Sequence, residues 1–279
     1  MPVHDQGYQR YSGHRLGPGR AWQVITRTGV RALVARRAFL GLLLLSWTPF
    51  LAGTVQVYLS SSFEQAAFLS PNNQTYWDFL ERQGSFAFLI TVWVGAGLIA
   101  DDRRANALAL YLSKPLTVTE YVVGKLAILL LLLGAVIWAP AMALLLVQSA
   151  FAGSLEFIRT HASLVPAITL YSLVAMALSS LTMLALSSLS SSSRFVGIMY
   201  AGVIFFTQAV TRVLASATGM PIWNHLSPFG ALDRVGQTIF GLDGAGQPGL
   251  LPALAVVLGL TLVSVAILRW RVRGIEVVA

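Results

Sequence analysis

LAILLLLLGAVIWAPAMALLLV, residues 126–147, contains no charged side chain and consists mainly of leucine, alanine and valine. A helix of this length rises roughly 30 Å, which matches the hydrocarbon thickness of a bilayer. The run therefore predicts a membrane-spanning helix.

Five further runs of the same character lie on both sides of it. The chain is 56% hydrophobic and only 11% charged, whereas soluble domains carry about 25% charged residues. We therefore predict an all-α integral membrane protein whose residues 38–279 form a six-helix transmembrane domain. The predicted spans are 38–58, 84–100, 126–147, 164–189, 195–214 and 250–268.

Two prolines, Pro49 and Pro140, lie inside these runs. Proline lacks a backbone donor, so each should kink its helix while a neighbouring helix satisfies the freed carbonyl group. We interpret both as packing features.

The basic residues are distributed unevenly between the two sides of the predicted bundle. Of the 19 lysines and arginines, 15 fall on the side that holds both termini, and only Arg82, Arg159, Arg212 and Arg234 fall on the other. Because positive charge concentrates in cytoplasmic flanks, both termini are predicted to be cytoplasmic, in an inner or plasma membrane. This placement also explains the net charge of +8 without a nucleic-acid partner.

Residues 1–37 are predicted to be a polar tail followed by an interfacial helix at 21–37. Apolar and basic side chains there segregate to opposite helix faces, which is typical of a helix lying on anionic headgroups. A plain basic flank is the alternative. The apolar face has Trp22, Ile25, Gly29 and Leu33, and the basic face has Arg20, Arg27 and Arg31. We select Trp22, Arg27 and Arg31 as the membrane-interface residues.

The connection ADDRRANALALYLSKPLTVTEYVVGK, residues 100–125, is the longest polar-containing connection on the predicted cytoplasmic side. Acidic residues favour the first turn of a helix, so Asp101 and Asp102 predict a helix start. A short apolar stripe follows, and Pro115 should end that helix. The stripe is Leu108, Tyr111 and Leu112.

Thr117 and Glu120 have the spacing of a capping box, which predicts that a second helix begins there and enters the membrane. A helix, a break and a helix would form a rigid element that a partner protein could move. An ordinary surface loop is the alternative interpretation.

This connection resembles the signature of type-2 permease subunits of ATP-binding-cassette (ABC) exporters. The matching residues are Asp101-Asp102-Arg103-Arg104, Tyr111-Leu112-Ser113-Lys114-Pro115 and Gly124-Lys125, and Asn106-Ala107 stands where the family usually has Gly-Thr.

The resemblance implies a six-helix permease with an N-terminal elbow helix that pairs with a second permease copy, identical or similar. It also implies a separate ATPase subunit that binds ATP and magnesium, so that this chain carries no cofactor. The ATPase would dock on residues 101–125. The implied coupling residues are Asp101, Asp102, Arg103, Arg104, Leu108, Tyr111, Leu112, Lys114 and Pro115.

The sequence lacks the motifs that several kinds of catalysis and transport require. The only Gly-Lys pair, Gly124-Lys125, has Thr119 where a P-loop needs its first glycine, so the chain has no ATP-binding loop. There is no cysteine and no HExxH. The predicted spans contain Arg212 but no Asp, Glu, Lys or His, which argues against an ion-coupled carrier.

Two further stretches have two interpretations each. Residues 215–249 would be a cap over the outer end of the bundle or a loop on the lipid surface. The serine-rich residues 179–193 would serve close helix packing or line a polar route.

The sequence therefore predicts the permease subunit of an ABC transporter, an exporter rather than an enzyme. The alternatives are a membrane anchor that recruits a partner protein and, less favoured, an ion-coupled secondary carrier.

Overall fold

The computed structural model describes residues 20–63, 65, 70–107, 116–151, 159, 161–244 and 248–272. All regular structure in these ranges is helical, as predicted. Six helices are long and apolar enough to cross a membrane, which confirms the predicted number and fits a multi-pass membrane protein. They are α2 (Arg37–Ser62), α3 (Asn73–Arg104), α4 (Val118–Phe151), α5 (Leu164–Leu189), α6 (Ser193–Thr218) and α8 (Leu250–Arg271). The shorter helices are α1 (Ala21–Val34), α7 (Pro228–Ile239) and a 3-10 turn at Pro221–Leu226.

The six long helices divide into an inner and an outer set. In α3, α4 and α5 about half of the most apolar window is buried (50%, 56% and 50%), against 11%, 17% and 17% in α2, α6 and α8. The inner three therefore form the core. The outer three expose large apolar side chains such as Leu51, Phe206 and Leu251, which suits contact with lipid.

Helix α3 is longer than its apolar run. It begins at Asn73, where the Asn72 side chain accepts a hydrogen bond from the Thr75 backbone N–H at 3.0 Å in a capping box. It continues through the charged residues to Arg104 and ends next to Asn106, which has a left-handed backbone (φ 51°). The prediction that a helix starts at Asp101 is therefore wrong.

Helix α3 continues through residues 101–104 because their charged side chains bind partners while the backbone stays helical, as described below. Two arginines in the last turn also suit the negative end of the helix dipole. By contrast, the predicted capping box at Thr117 and Glu120 is confirmed, and α4 begins directly after it.

Both prolines coincide with helix irregularities. Pro49 lies in the first turn of the second half of α2, which begins at Thr48 directly after a break at Ser46-Trp47. Pro140 follows a π-helical segment, Gly134–Trp138, within α4. A second π segment, Thr91–Gly95, lies within α3. In the described part of the chain, α3 and α4 alone contain π segments.

The serine-rich stretch packs closely against α3. The Ser187 hydroxyl accepts hydrogen bonds from the backbone N–H groups of Ile99 (3.1 Å) and Ala100 (3.0 Å) and donates to the Ala96 carbonyl (2.9 Å). It thereby bridges the backbone of α3 just beyond the π segment. Ser187 and Ser188 are fully buried, so this part of the stretch serves helix packing.

Residues 215–244 include the 3-10 turn and α7, which packs against α5, α6 and α8. The Asn73 side chain donates to the Phe240 carbonyl at 2.9 Å and so fastens this region to the start of α3. Arg234 is buried and pairs with Asp243. This packing favours the cap over the surface loop.

Candidate functional site

The connection that resembles the permease signature lies at one end of the bundle. There the last turn of α3, the first turns of α4 and helix α1 meet. We call this junction, formed by residues 21–34, 101–104 and 117–125, the coupling corner.

Helix α1 rests directly on the start of α4, and Gly124 permits the close approach. A Cβ atom at Gly124 would lie 2.9 Å from the Ile25 Cβ and 3.1 Å from the Trp22 carbonyl oxygen. The Thr26 hydroxyl donates to the Gly124 carbonyl at 3.1 Å. The predicted apolar face of α1 therefore packs on protein, while Arg20, Arg27 and Arg31 on its other face are exposed.

Glu120 joins α1 to the cap of α4. One carboxylate oxygen accepts from the Thr117 backbone N–H (3.1 Å) and hydroxyl (2.9 Å). The other accepts from the Ala21 backbone N–H at 3.3 Å. A single side chain thus satisfies backbone donors at the start of two helices, which ties their positions together.

Asp102 joins α3 to α4. Its carboxylate lies 2.6 Å from the Lys125 Nζ and accepts a hydrogen bond of 2.7 Å from the Tyr121 hydroxyl. The side chains of Lys125 and Asp102 are only 14% and 18% exposed. An ion pair this sheltered fixes geometry, because removing either partner leaves a largely buried charge uncompensated.

The other charged side chains of the corner differ in what they contact: one binds another helix and two face solvent. Arg103 donates to the Ser188 carbonyl and so contacts the end of α5. Arg104 and Asp101 form a pair at 3.3 Å with side chains 68% and 49% exposed. Such surface pairs contribute little to stability. Asp101 and Arg104 are therefore accessible to a partner, whereas Asp102 and Arg103 position the helices.

The predicted site residues are only partly brought together. Leu108, Tyr111, Leu112, Lys114 and Pro115 lie outside the described residues. Trp22, Arg27 and Arg31 lie on α1 and line a shallow groove of about 640 Å³ whose far wall includes Leu131 of α4. Their contact with headgroups stays a prediction.

Sequence reasoning included Lys125 as part of a motif and Glu120 as part of a cap, but it did not find their partners. Asp102 and Lys125 lie on opposite arms of a helical hairpin, so matching the last turn of one helix to the first turns of the next could have paired them. No sequence signal connects Glu120 to Ala21, since α1 is separated from α4 by two helices.

The described residues contain no group of three or more His, Asp or Glu side chains placed to hold a metal ion. No protein-family model matches the chain, and a search of curated proteins finds no significant relative. The resemblance to type-2 permeases rests on the motifs quoted above.

Proposed function

We propose that this chain is the membrane-spanning permease subunit of an ABC exporter, moved by a separate ATPase subunit that contacts the coupling corner. The observation that carries the proposal is the corner itself. Asp102, Glu120 and Thr26 join the end of α3, the start of α4 and helix α1 into one unit, so a force on any of the three elements moves all of them.

The interiors of α3 and α4 support this role. These two helices leave the corner, and each contains a π segment farther along. π segments are weak points of a helix and are frequent at functional sites. A Cβ atom at Gly95, in the first segment, would lie 2.4 Å from the Met183 Cγ, and Gly134, which begins the second, lies beside Met176. Both methionines belong to α5, and methionine readjusts its packing readily.

The energetic scheme is mechanical. Closure of an ATPase pair would displace the corner, and the inner helices would change packing at the π segments while the outer helices stay in lipid. In this scheme the corner is cytoplasmic, as are both termini, and a second permease copy completes the assembly. Arg104 and Asp101 are the exposed charges that the ATPase would contact.

An ion-coupled carrier is the second candidate, because one observation favours it. The charge-free second span predicted from the sequence begins only at Gly84. Helix α3 begins at Asn73 and therefore also contains Asp78, Glu81 and Arg82. Ionisable side chains on a membrane helix are a feature of carriers.

The test is to purify the tagged chain from its native membranes, reconstitute it, and measure the ATPase activity that accompanies it. We expect Arg104→Ala to lower both the amount of co-purified ATPase and its activity. Arg82→Ala, an exposed arginine near the other end of the same helix, is the matched control. Equal effects of the two substitutions, or the absence of any accompanying ATPase, would contradict the proposal. Transport driven by an ion gradient alone would favour the carrier.

A further inference from the structure

A cavity of about 660 Å³ lies at the end of the bundle opposite the coupling corner. Helices α3, α5, α6 and α7 and the 3-10 turn all contribute to its wall. Its volume is in the range of small-molecule sites. The wall includes six aromatic side chains: Trp77, Phe88, Tyr171, Tyr200, Phe205 and Phe229.

Two carboxylates from different helices face this cavity. Glu81, an exposed residue of α3, and Asp233, a half-buried residue of α7, both line it. Asp233 accepts hydrogen bonds from the Gln237 amide at 3.1 Å. Burial raises the pKa of Asp233, while the Gln237 hydrogen bond and the nearby His225 and Arg234 oppose that shift.

The basic groups around the cavity are either bonded to other groups or exposed, so the cavity can accept a further positive charge. Arg234 is occupied by Asp243 and by the Pro248 carbonyl, to which its Nε donates at 2.9 Å. His225 has its Nδ1 3.2 Å from the Gly230 carbonyl oxygen. Arg212 lies in the wall, and Arg82 directly follows Glu81 in the chain and acts on its charge; both arginines are exposed.

One buried hydroxyl in the cavity wall lacks a hydrogen-bond partner among the described residues. It is the Oγ1 of Thr182, a residue that is only 4% exposed. Buried polar atoms normally have partners, and an exception calls for an explanation such as a bound group.

We infer that this cavity binds an organic cation with an apolar, aromatic body. Glu81 and Asp233 would compensate the positive charge. The rings of Trp77 and Tyr171, which meet edge-to-face at a centroid distance of 5.0 Å, would contact its body and attract the cation through their π faces. Thr182 would meet a polar atom of the ligand. Binding of this kind requires no ATPase, so the inference stands apart from the proposed function.

The probe for the test is tetraphenylphosphonium, a permanent cation, and its counter-probe is tetraphenylborate, an anion of nearly the same shape. Binding to the full chain in a non-ionic detergent is measured by equilibrium dialysis. We expect wild-type protein to bind the cation and to discriminate against the anion. Asp233→Asn and Glu81→Gln should each weaken cation binding about tenfold or more, since each removes a counter-charge. Asp78→Asn is the control, because Asp78 lies one turn from Glu81 but outside the cavity wall.

A second arm needs no variant. The charge of tetraphenylphosphonium does not titrate, so a loss of binding between about pH 7 and about pH 3.5 reports protein groups. Protonation of Asp233 or Glu81 removes a counter-charge from the wall, so binding should weaken as the pH falls. Absence of cation binding to the wild type, equal binding of the two probes, or equal loss in Asp78→Asn and Asp233→Asn would overturn the inference. Cation binding that is insensitive to pH would also overturn it.

Discussion

The indole Nε1 of Trp47 donates a hydrogen bond of 3.2 Å to the carbonyl oxygen of Ala135. That carbonyl lies inside the π segment of α4, where the Ala139 N–H bonds to Gly134. The next π partner of Ala135 would be the backbone nitrogen of Pro140, which carries no hydrogen. The freed carbonyl is thus satisfied by α2, as the position of Pro140 within the run predicts.

This relationship predicts that Trp47→Phe destabilises the protein by about 1 kcal/mol beyond the loss of packing, because a partly buried carbonyl loses its donor. The loss should be smaller in a Pro140→Ala background, where residue 140 regains an N–H. Unfolding in detergent, followed as a double-mutant cycle, measures the difference. Trp93→Phe, at a side chain 49% exposed, is the control. An equal loss of unfolding free energy in both backgrounds would show that the Trp47 hydrogen bond does not compensate for the missing N–H of Pro140.

The bridge from Ser187 to α3 makes a second prediction. Ser187→Ala removes a hydroxyl that contacts three backbone groups of another helix, so it should cost about 1–3 kcal/mol. Ser188→Ala should cost less, because the Ser188 hydroxyl donates only within its own helix, to the Ala185 carbonyl at 2.7 Å. Both serines are fully buried, so burial alone would give equal effects. Comparable unfolding midpoints for the two variants would contradict the bridge.

Asp233 and Asp243 should respond to pH with opposite signs. Burial raises the pKa of Asp233 above its ordinary value of 3.8, so ionisation destabilises the folded protein once the pH rises past about 4. Asp233→Asn should therefore raise the melting temperature near pH 7 and change it little near about pH 3.5. Carboxylates whose pKa is perturbed by their surroundings are frequent at functional sites.

The hydrogen bond from Arg234 lowers the pKa of Asp243, so its stabilising effect is present above 3.8 and is lost as the pH falls. Asp243→Asn should lower the melting temperature near pH 7 and matter less in acid. Thermal scans across pH decide both cases. Shifts of the same sign in the two variants would refute this assignment.

The proposed orientation can be tested by labelling, because the chain contains no cysteine. Arg82 and Arg104 are both exposed on α3 and are separated by roughly 33 Å of helix. In intact cells an impermeant maleimide should label Arg82→Cys, and it should label Arg104→Cys only after permeabilisation. The reverse pattern would place the coupling corner outside the cell and rule out an ATPase there.

The number of membrane helices followed from composition, because a bilayer admits only backbone that is satisfied internally. The start of α4 was also predictable, since a capping box is a local interaction between Thr117 and Glu120. The ends of α3 were not. The apolar run ends at the first charged residue, whereas the helical hydrogen-bond pattern of the backbone continues beyond it. Asp102 remains helical because Lys125 and Tyr121 of the next helix bind its carboxylate.

The cavity could not be found from sequence for a related reason. Glu81 and Asp233 lie far apart in the chain and outside the predicted spans, so each resembled an ordinary surface charge. Only the packing of α7 beside α3, α5 and α6 brings the two carboxylates to one wall. No periodicity within either helix carries that information.

Each π segment holds one more residue in its turn than an α-helix would. If such a turn relaxed to α geometry, everything beyond it would rotate by about 100° about the helix axis and shift by about 1.5 Å. Two such turns, one in each arm of the hairpin, allow the arms to present different side chains to their neighbours while both remain continuous across the membrane. A displacement of the coupling corner would then change which side chains line the cavity at the opposite end of the bundle, and no helix would have to unfold.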